Sequence, residues 1–132
     1  MSSRYRKNAG AVFSLKYHIV FCPKYRRSVL NDIIAKRFKD LLEEVCKEHQ
    51  IQTHAAEVMP DHVHLFLEAD PTLCVAEIVN RIKGKTSRVL RKEFPELKSK
   101  LPCLWSRSYY CGTVGHVSSA TIQKYIENQK GK

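Results

Sequence analysis

The order in which the hydrophobic period changes along the chain limits its fold more than any other feature. Residues 11–22 alternate between apolar and more polar side chains, and this period of two predicts a half-buried β-strand. Residues 31–49 place apolar side chains three or four positions apart, which predicts an amphipathic helix. Two further strands are predicted at 51–59 and 62–69. They are joined at Pro60, which fixes φ and cannot donate to a sheet ladder, so the pair should form a hairpin.

The second half of the chain continues this alternation of helices and strands. Thr72 is predicted to cap a helix that extends to Phe94, and the aromatic, β-prone residues 104–114 are predicted to form a fourth strand. A last helix is predicted from Ser118 to Gln129. The resulting β-α-β-β-α-β order predicts an α+β, ferredoxin-like (split β-α-β) fold. In that fold an antiparallel sheet carries two helices on one face, and here an extra C-terminal helix is added.

Length and composition predict one folded domain. The chain has 132 residues, of which 43% are hydrophobic and 27% charged, as in ordinary globular proteins. Residues 1–132 are therefore expected to form a single domain, with a flexible basic N-terminus over 1–10. The sequence contains no apolar run near the roughly 18 residues that a membrane span needs, and no secretory leader is recognisable. We therefore expect a cytoplasmic protein without a membrane partner, whose five scattered cysteines stay reduced.

The excess of positive charge favours a polyanionic partner. Lysine and arginine number 23 against 13 acidic residues, a net charge of +10, so nucleic acid is the first candidate and an anionic membrane surface the second. No acidic residue precedes Asp32, and a second cationic block lies between Arg81 and Lys100. The candidate phosphate-binding residues follow the first strand or line one stripe of the second helix: Lys24, Arg26, Arg27, Arg81, Lys85, Arg88 and Lys92. Each of them could equally be a solvated surface charge.

Two histidines are predicted to share one face of the third strand. The strand period places Val63 and Leu65 towards the helices, and His62 and His64 together on the opposite face. Neutral imidazole is a common ligand of divalent first-row metals, so the pair offers two ligands to one ion. The H-x-H spacing alone is more typical of two half-exposed polar residues on the solvent side of a sheet.

The last helix presents a phenol and an amide on one side. Tyr125 and Gln129 are four residues apart, with Ile122 and Ile126 beside them to bury that side of the helix. If the helix packs on the open face of the sheet, Gln129 could complete a site with the two histidines, and Tyr125 could reach a phosphate held there. The alternative for Tyr125 is an ordinary amphipathic anchor with a buried ring and a solvated hydroxyl.

Five segments that span nearly the whole chain are informative together: YHIVFCPKYRR, EVMPDHVHLFLE, IKGKTSRVLRKEFPEL, LWSRSYY and TIQKYIENQ. They resemble the single-tyrosine HUH transposases (TnpA type) of small bacterial and archaeal insertion sequences. The resemblance implies that His62 and His64 bind a metal, that Gln129 is a third ligand and that Tyr125 is the nucleophile. It also implies a homodimer whose active sites can combine the tyrosine helix of one subunit with the histidines of the other.

The activity that this resemblance implies is transposition of an insertion sequence by cleaving and rejoining single-stranded DNA with hairpin ends. Tyr125 would form a 5′-phosphotyrosine intermediate, with Mg²⁺ or Mn²⁺ polarising the phosphate and no nucleotide cofactor. One alternative is a domesticated HUH nickase acting on repeated hairpins. Another is a non-catalytic, RRM-like single-stranded nucleic-acid binding module. The sequence disfavours the latter, because an RRM would carry aromatic residues where His62 and His64 stand.

Overall fold

The computed structural model describes residues 6–7, 10–13, 15–113 and 119–129. In chain order its strands and helices are β1 (Arg6–Lys7), β2 (Val12–Phe13), β3 (Lys16–Phe21), α1 (Asp32–Glu48), β4 (Gln52–Met59), β5 (His62–Glu68), α2 (Val75–Glu93), α3 (Glu96–Lys100), β6 (Tyr110–Thr113) and α4 (Ser119–Asn128). β1 and β2 form a separate two-stranded ribbon. None of the described helices is long and apolar enough to cross a bilayer.

The main sheet has the strand order β4-β5-β3-β6, and every neighbouring pair is antiparallel. β3 and β5 occupy the centre, while β4 and β6 form the edges. The connections from β3 to β4 and from β5 to β6 contain α1 and α2 respectively. This is the split β-α-β arrangement, so the predicted ferredoxin-like fold is confirmed.

The hydrophobic core lies between the two long helices and one face of the sheet. Ile19 and Phe21 of β3 are fully buried there, as are Val63, Leu65 and Leu67 of β5. Strand alternation directs these side chains to one face, which leaves the residues between them on the other. The helix-covered face therefore supplies most of the packing, and the opposite face is left for α4 and for chemistry.

Trp105 belongs to the core. Its ring meets that of Phe21 edge-on at 4.8 Å and that of Phe38 at 5.7 Å, and its indole N–H donates to Thr86 Oγ1 over 3.0 Å. The polar atom of this buried ring is therefore satisfied, as buried indoles require. The backbone of Trp105 forms an isolated β-bridge with Pro23 and does not belong to a strand.

The fourth strand is shorter than the sequence predicts. Residues 104–109 are not part of it, and β6 begins only at Tyr110. The Lys83 ammonium donates to the carbonyls of Ser106 and Ser108, 2.9 Å each, so these groups point to a helix and not to a neighbouring strand. The prediction at 104–109 was wrong because the tertiary contact with Lys83 overrides the local β-propensity.

Other boundaries differ by a few residues. The predicted first strand is divided between β2 and β3. Thr72 does not cap α2, because its N–H and hydroxyl both donate to Asp70 Oδ1, 2.9 and 2.7 Å away, in a turn that precedes the helix. Asn31 does cap α1, accepting from the Ile34 N–H over 2.9 Å.

The short α3 was not predicted, although Pro95 suits a helix start. The predicted cap Ser118 lies outside the described residues, and the flexible N-terminus stays a prediction.

Candidate active site

The face of the sheet turned away from α1 and α2 carries both predicted histidines. Directly opposite residues of antiparallel strands share a face. The register aligns four residues of this face in one row: Glu57, His64, Val20 and Tyr110. His62 lies two positions before His64 on β5 and so shares its face.

Each histidine uses one ring nitrogen inside the protein. His62 Nδ1 lies 2.8 Å from Asp61 Oδ1, and His64 Nε2 lies 3.2 Å from Nδ1 of His18. An ionised carboxylate only accepts hydrogen bonds, so the His62 proton sits on Nδ1 and the lone pair of Nε2 is left for a ligand. Burial lowers the pKa of His64, and the neighbouring His18 and His62 lower it further. His64 is therefore neutral near pH 7, the state in which imidazole binds metals.

α4 covers the β3 side of the same face. It contacts β3, and Ile126 and Gln129 are only 5% and 6% exposed. The Tyr125 ring lies near the Tyr110 end of the row described above, with its centroid 6.1 Å from that of Tyr110. Tyr125 and Gln129 therefore lie on the same face of the sheet as the two histidines, while the roles assigned to them stay predictions. The Ile122 side chain lies outside what the structure describes.

A chain of hydrogen bonds joins the tyrosine to the amide. The Ser108 hydroxyl donates to Gln129 Oε1 over 2.8 Å, and its oxygen lies 3.2 Å from the Tyr125 hydroxyl. A serine hydroxyl has one proton, so Tyr125 must be the donor in the second contact. Burial raises the pKa of Tyr125 to about 12, although the hydrogen bond with Ser108 lowers it. The phenol is therefore protonated at neutral pH and donates its proton to Ser108.

The tyrosine and the histidines are near one another without touching. Tyr110, beneath the Tyr125 ring, is two strands away from His64, a separation of roughly 10 Å at ordinary strand spacing. Within the described residues no hydrogen bond joins Tyr125 or Gln129 to either histidine. Nor does that part of the chain contain three His, Cys, Asp or Glu side chains grouped to hold a metal ion.

Lys83 supports this site, and the sequence analysis overlooked it. Besides holding the carbonyls of Ser106 and Ser108, its ammonium lies over the Phe21 ring, 5.4 Å from the centroid. Burial lowers its pKa to about 8. A signal was available, since Lys83 is three or four positions from the buried Val79 and Thr86 and so lies on the inner stripe of α2.

Comparison with known proteins assigns the family. Residues 11–129 match the family described as "Transposase IS200 like". The chain belongs to the IS200-like transposases. It is 40% identical over 129 residues to the ISDra2 transposase TnpA of Deinococcus radiodurans, covering 96% of this chain and 92% of that protein. It is 37% identical over 119 residues to the transposase for insertion sequence element IS200 of Salmonella typhimurium, covering 89% and 78%.

Solved structures agree with this assignment. The crystal structure of a candidate transposase from D. radiodurans R1 superimposes with a TM-score of 0.88 at 39% identity, covering 96% of this chain and 99% of that one. A REP-associated tyrosine transposase bound to a REP hairpin superimposes with a TM-score of 0.60, covering 96% and 69%. Its sequence identity of 13% supports the shared fold alone. The IS200-like transposase is thus an enzyme of DNA cleavage and rejoining, which disfavours the alternative of a non-catalytic RRM-like module.

The predicted phosphate-binding cations of this IS200-like transposase fall into two groups. Four lie on α2, on the helix side of the sheet and away from the histidines: Arg81, Lys85, Arg88 and Lys92. Arg81 pairs with Glu77 at 2.9 Å, and Lys85 pairs with two glutamates of α1 at 3.2 and 3.4 Å. Arg88 and Lys92 are exposed.

The other group lies in the loop after β3. Lys24 and Arg27 reach the surface there, with the Lys24 ammonium 5.3 Å from the centroid of the Tyr25 ring. Arg26 is instead turned inward, since its Nε lies 3.4 Å from Asp61 Oδ2 and its Nη1 donates to the carbonyl of Ile126 over 3.3 Å. Arg26 therefore differs from the other six in binding the active-site elements themselves.

Proposed function

We propose that this IS200-like transposase cleaves and rejoins single-stranded DNA during insertion-sequence transposition, with Tyr125 as nucleophile and a divalent metal at His62, His64 and Gln129. One observation supports this proposal most. Tyr125 and Gln129 lie on the sheet face that carries both histidines, and the Ser108 hydroxyl makes a hydrogen bond with each of them. Among the tyrosines in the described part of the chain, no other combines a helix, an amide partner and the histidine face.

The proposed donor set for Mg²⁺ or Mn²⁺ consists of two imidazole nitrogens and one amide oxygen. His62 offers Nε2 because Asp61 holds the proton on Nδ1, and His64 is neutral because burial lowers its pKa. The Gln129 carbonyl oxygen has two lone pairs, so it can bind a cation while it still accepts from Ser108. When bound there, the metal would polarise the scissile phosphate and offset the charge that develops on it.

The reaction follows from the chemistry of the phenol. The Tyr125 oxygen attacks phosphorus, and its proton has Ser108 Oγ as first acceptor. The bond to the 3′-oxygen breaks, this oxygen takes a proton, and a 5′-phosphotyrosyl ester remains. Attack by a different 3′-hydroxyl reverses the step and restores the phenol. The ester conserves the energy of the phosphodiester bond, so no nucleotide cofactor is needed.

A covalent adduct tests this function. Incubation with Mn²⁺ and a single-stranded hairpin oligonucleotide, labelled 3′ of the nick, should give a protein–DNA adduct that survives denaturation. Peptide mapping should find the nucleotide on Tyr125, and excess chelator should prevent its formation. An adduct on Tyr109, Tyr110 or a serine would contradict the proposal.

The exposed cations of α2 are expected to bind phosphates. Reversing charge at Arg88 and Lys92 should weaken binding of single-stranded DNA and flatten its salt dependence, by about 0.7 in the log–log slope for each lost phosphate contact. Filter binding across a salt series measures both quantities. Lys39→Glu is a matched control, since Lys39 is an exposed lysine on α1 outside the predicted set. If the variant with reversed charges on α2 has the same salt slope as the parent, Arg88 and Lys92 do not contact the DNA.

The homodimer stays a proposal that the resemblance supports. Burial of Ile126 gives no separate argument for a dimer, because this side chain is already buried within its own chain. If the sites combine elements of two subunits, mixing inactive His64→Ala and Tyr125→Phe subunits should restore about a quarter of the parental sites by random pairing. Cleavage by the mixture and the mass in solution check this. A monomer at working concentration would contradict it.

A further inference from the structure

The loop after β3 holds a disfavoured backbone. Tyr25 and Arg26 are consecutive, neither is glycine, and both have left-handed φ angles of 60° and 51°. Side chains with a Cβ rarely adopt this conformation, and it persists only where the surroundings impose it. Here the Arg26 N–H donates to the Pro23 carbonyl and the Lys24 N–H to the Leu104 carbonyl, each over 2.8 Å. These contacts fix the loop and direct the Arg26 side chain inward.

The Arg26 guanidinium contacts two elements of the candidate site at once. Its Nε lies 3.4 Å from Asp61 Oδ2, while the other oxygen of Asp61 lies 2.8 Å from His62 Nδ1. Its Nη1 donates to the Ile126 carbonyl over 3.3 Å. Arg26 therefore links the residue after Tyr125 to the carboxylate that orients His62. Its side chain is 19% exposed, so little of it is available to a phosphate in solution.

The contact with α4 suits the end of a helix. Ile126 lies in the last turn of α4, where its carbonyl accepts from the Gln129 N–H over 3.2 Å and the helix dipole favours a cation. A guanidinium carries five donors in a planar fork and so can serve a carboxylate and a carbonyl together. A lysine ammonium at this position would have no such fork.

We propose that Arg26 is a positioning residue that fixes the tyrosine helix relative to the His62 site, and that it is not one of the phosphate-binding cations. This inference rests on the proposed roles of Tyr125 and His62. Without Arg26, Asp61 would lose a partner and hold His62 less firmly, and the last turn of α4 would lose its cation. Metal binding and the stability of α4 should therefore both depend on one side chain.

Arg26→Gln and Arg27→Gln form a matched pair for the test. The two residues are adjacent, and within the described residues the exposed Arg27 side chain has no hydrogen bond or ion pair. Three quantities are measured on the full chain: Mn²⁺ affinity without DNA, hydrogen exchange of the α4 amides, and the salt slope of single-stranded DNA binding. Arg26→Gln should weaken Mn²⁺ binding by about 10-fold or more and speed exchange in α4, with the salt slope unchanged. Arg27→Gln should flatten the salt slope and leave the other two as in the parent.

A second variant separates the contact of Arg26 with Asp61 from its contact with α4. Asp61→Asn should weaken Mn²⁺ binding without changing exchange in α4, and combining it with Arg26→Gln should weaken Mn²⁺ binding by less than the product of the two single effects. If Arg26→Gln does not fold, Arg26→Lys replaces it, and faster α4 exchange is still expected because one ammonium cannot replace the fork.

Two results would overturn the inference. One is a salt slope that flattens in the Arg26 variant while Mn²⁺ affinity and α4 exchange stay parental. The other is α4 exchange that responds equally to Arg26→Gln and Arg27→Gln. Failure of the proposed function is distinguishable, because it would appear in the unaltered protein as an adduct away from Tyr125.

Discussion

Tyr125→Phe is expected to abolish both strand cleavage and the covalent adduct while single-stranded DNA binding survives. The substitution removes one oxygen, so the attacking group is lost and the ring keeps its packing near Tyr110. The hydrogen bond to Ser108 also goes, which should lower the free energy of unfolding by only about 1 kcal/mol. Cleavage under single-turnover conditions, filter binding and thermal melting measure the three quantities.

Tyr110→Phe is the matched control for this experiment. Its ring lies 6.1 Å from that of Tyr125 on the same sheet face, so it tests whether any hydroxyl in this region is required. We expect its cleavage rate to stay within a few-fold of the parent's. If Tyr125→Phe retained cleavage while Tyr110→Phe lost it, the nucleophile would be misassigned.

The sequence predicted the elements whose periodicity is long and undisturbed. α1 has its cap at Asn31 and its apolar stripe buried, and β4 and β5 form the predicted hairpin. The incorrect predictions lie where a residue distant in the sequence determines the backbone conformation. The carbonyls of Ser106 and Ser108 bind Lys83, a contact between residues 23 and 25 positions apart that local propensity cannot reveal.

The same division holds for the candidate site. Strand alternation fixes which face His62 and His64 share, so their placement was predictable. The hydrogen bonds that join Tyr125 to Gln129 were not predictable, because they run through Ser108, which lies in the irregular segment before β6. The sequence gives the charge of Arg26 and not the direction of its side chain, so the contacts with Asp61 and Ile126 were not predictable. Its inward direction depends on left-handed φ angles at two residues that rarely adopt them.

His64→Ala is expected to abolish metal-dependent cleavage and to weaken Mn²⁺ binding by at least about 100-fold. The variant removes a neutral imidazole that the proposed site needs as a ligand. Folding should persist, since His64 lies on the face opposite the buried Val63 and Leu65. Electron paramagnetic resonance titration with Mn²⁺ and cleavage assays in Mg²⁺ measure the effect.

His54→Ala is the control that isolates coordination from the loss of any histidine on this sheet. His54 lies 2.7 Å from Glu68 and near the Phe66 ring, and it is not among the proposed ligands, so its removal should leave Mn²⁺ affinity unchanged. The His64 side chain also contacts His18, and His18→Ala should therefore have a smaller effect on Mn²⁺ affinity than His64→Ala. A His64→Ala protein that cleaves DNA at the parental rate in excess chelator would show that the imidazole has no part in the reaction. Tyr125 would then have to act without the metal, although burial holds its pKa at about 12 and leaves Ser108 as the only described acceptor of its proton.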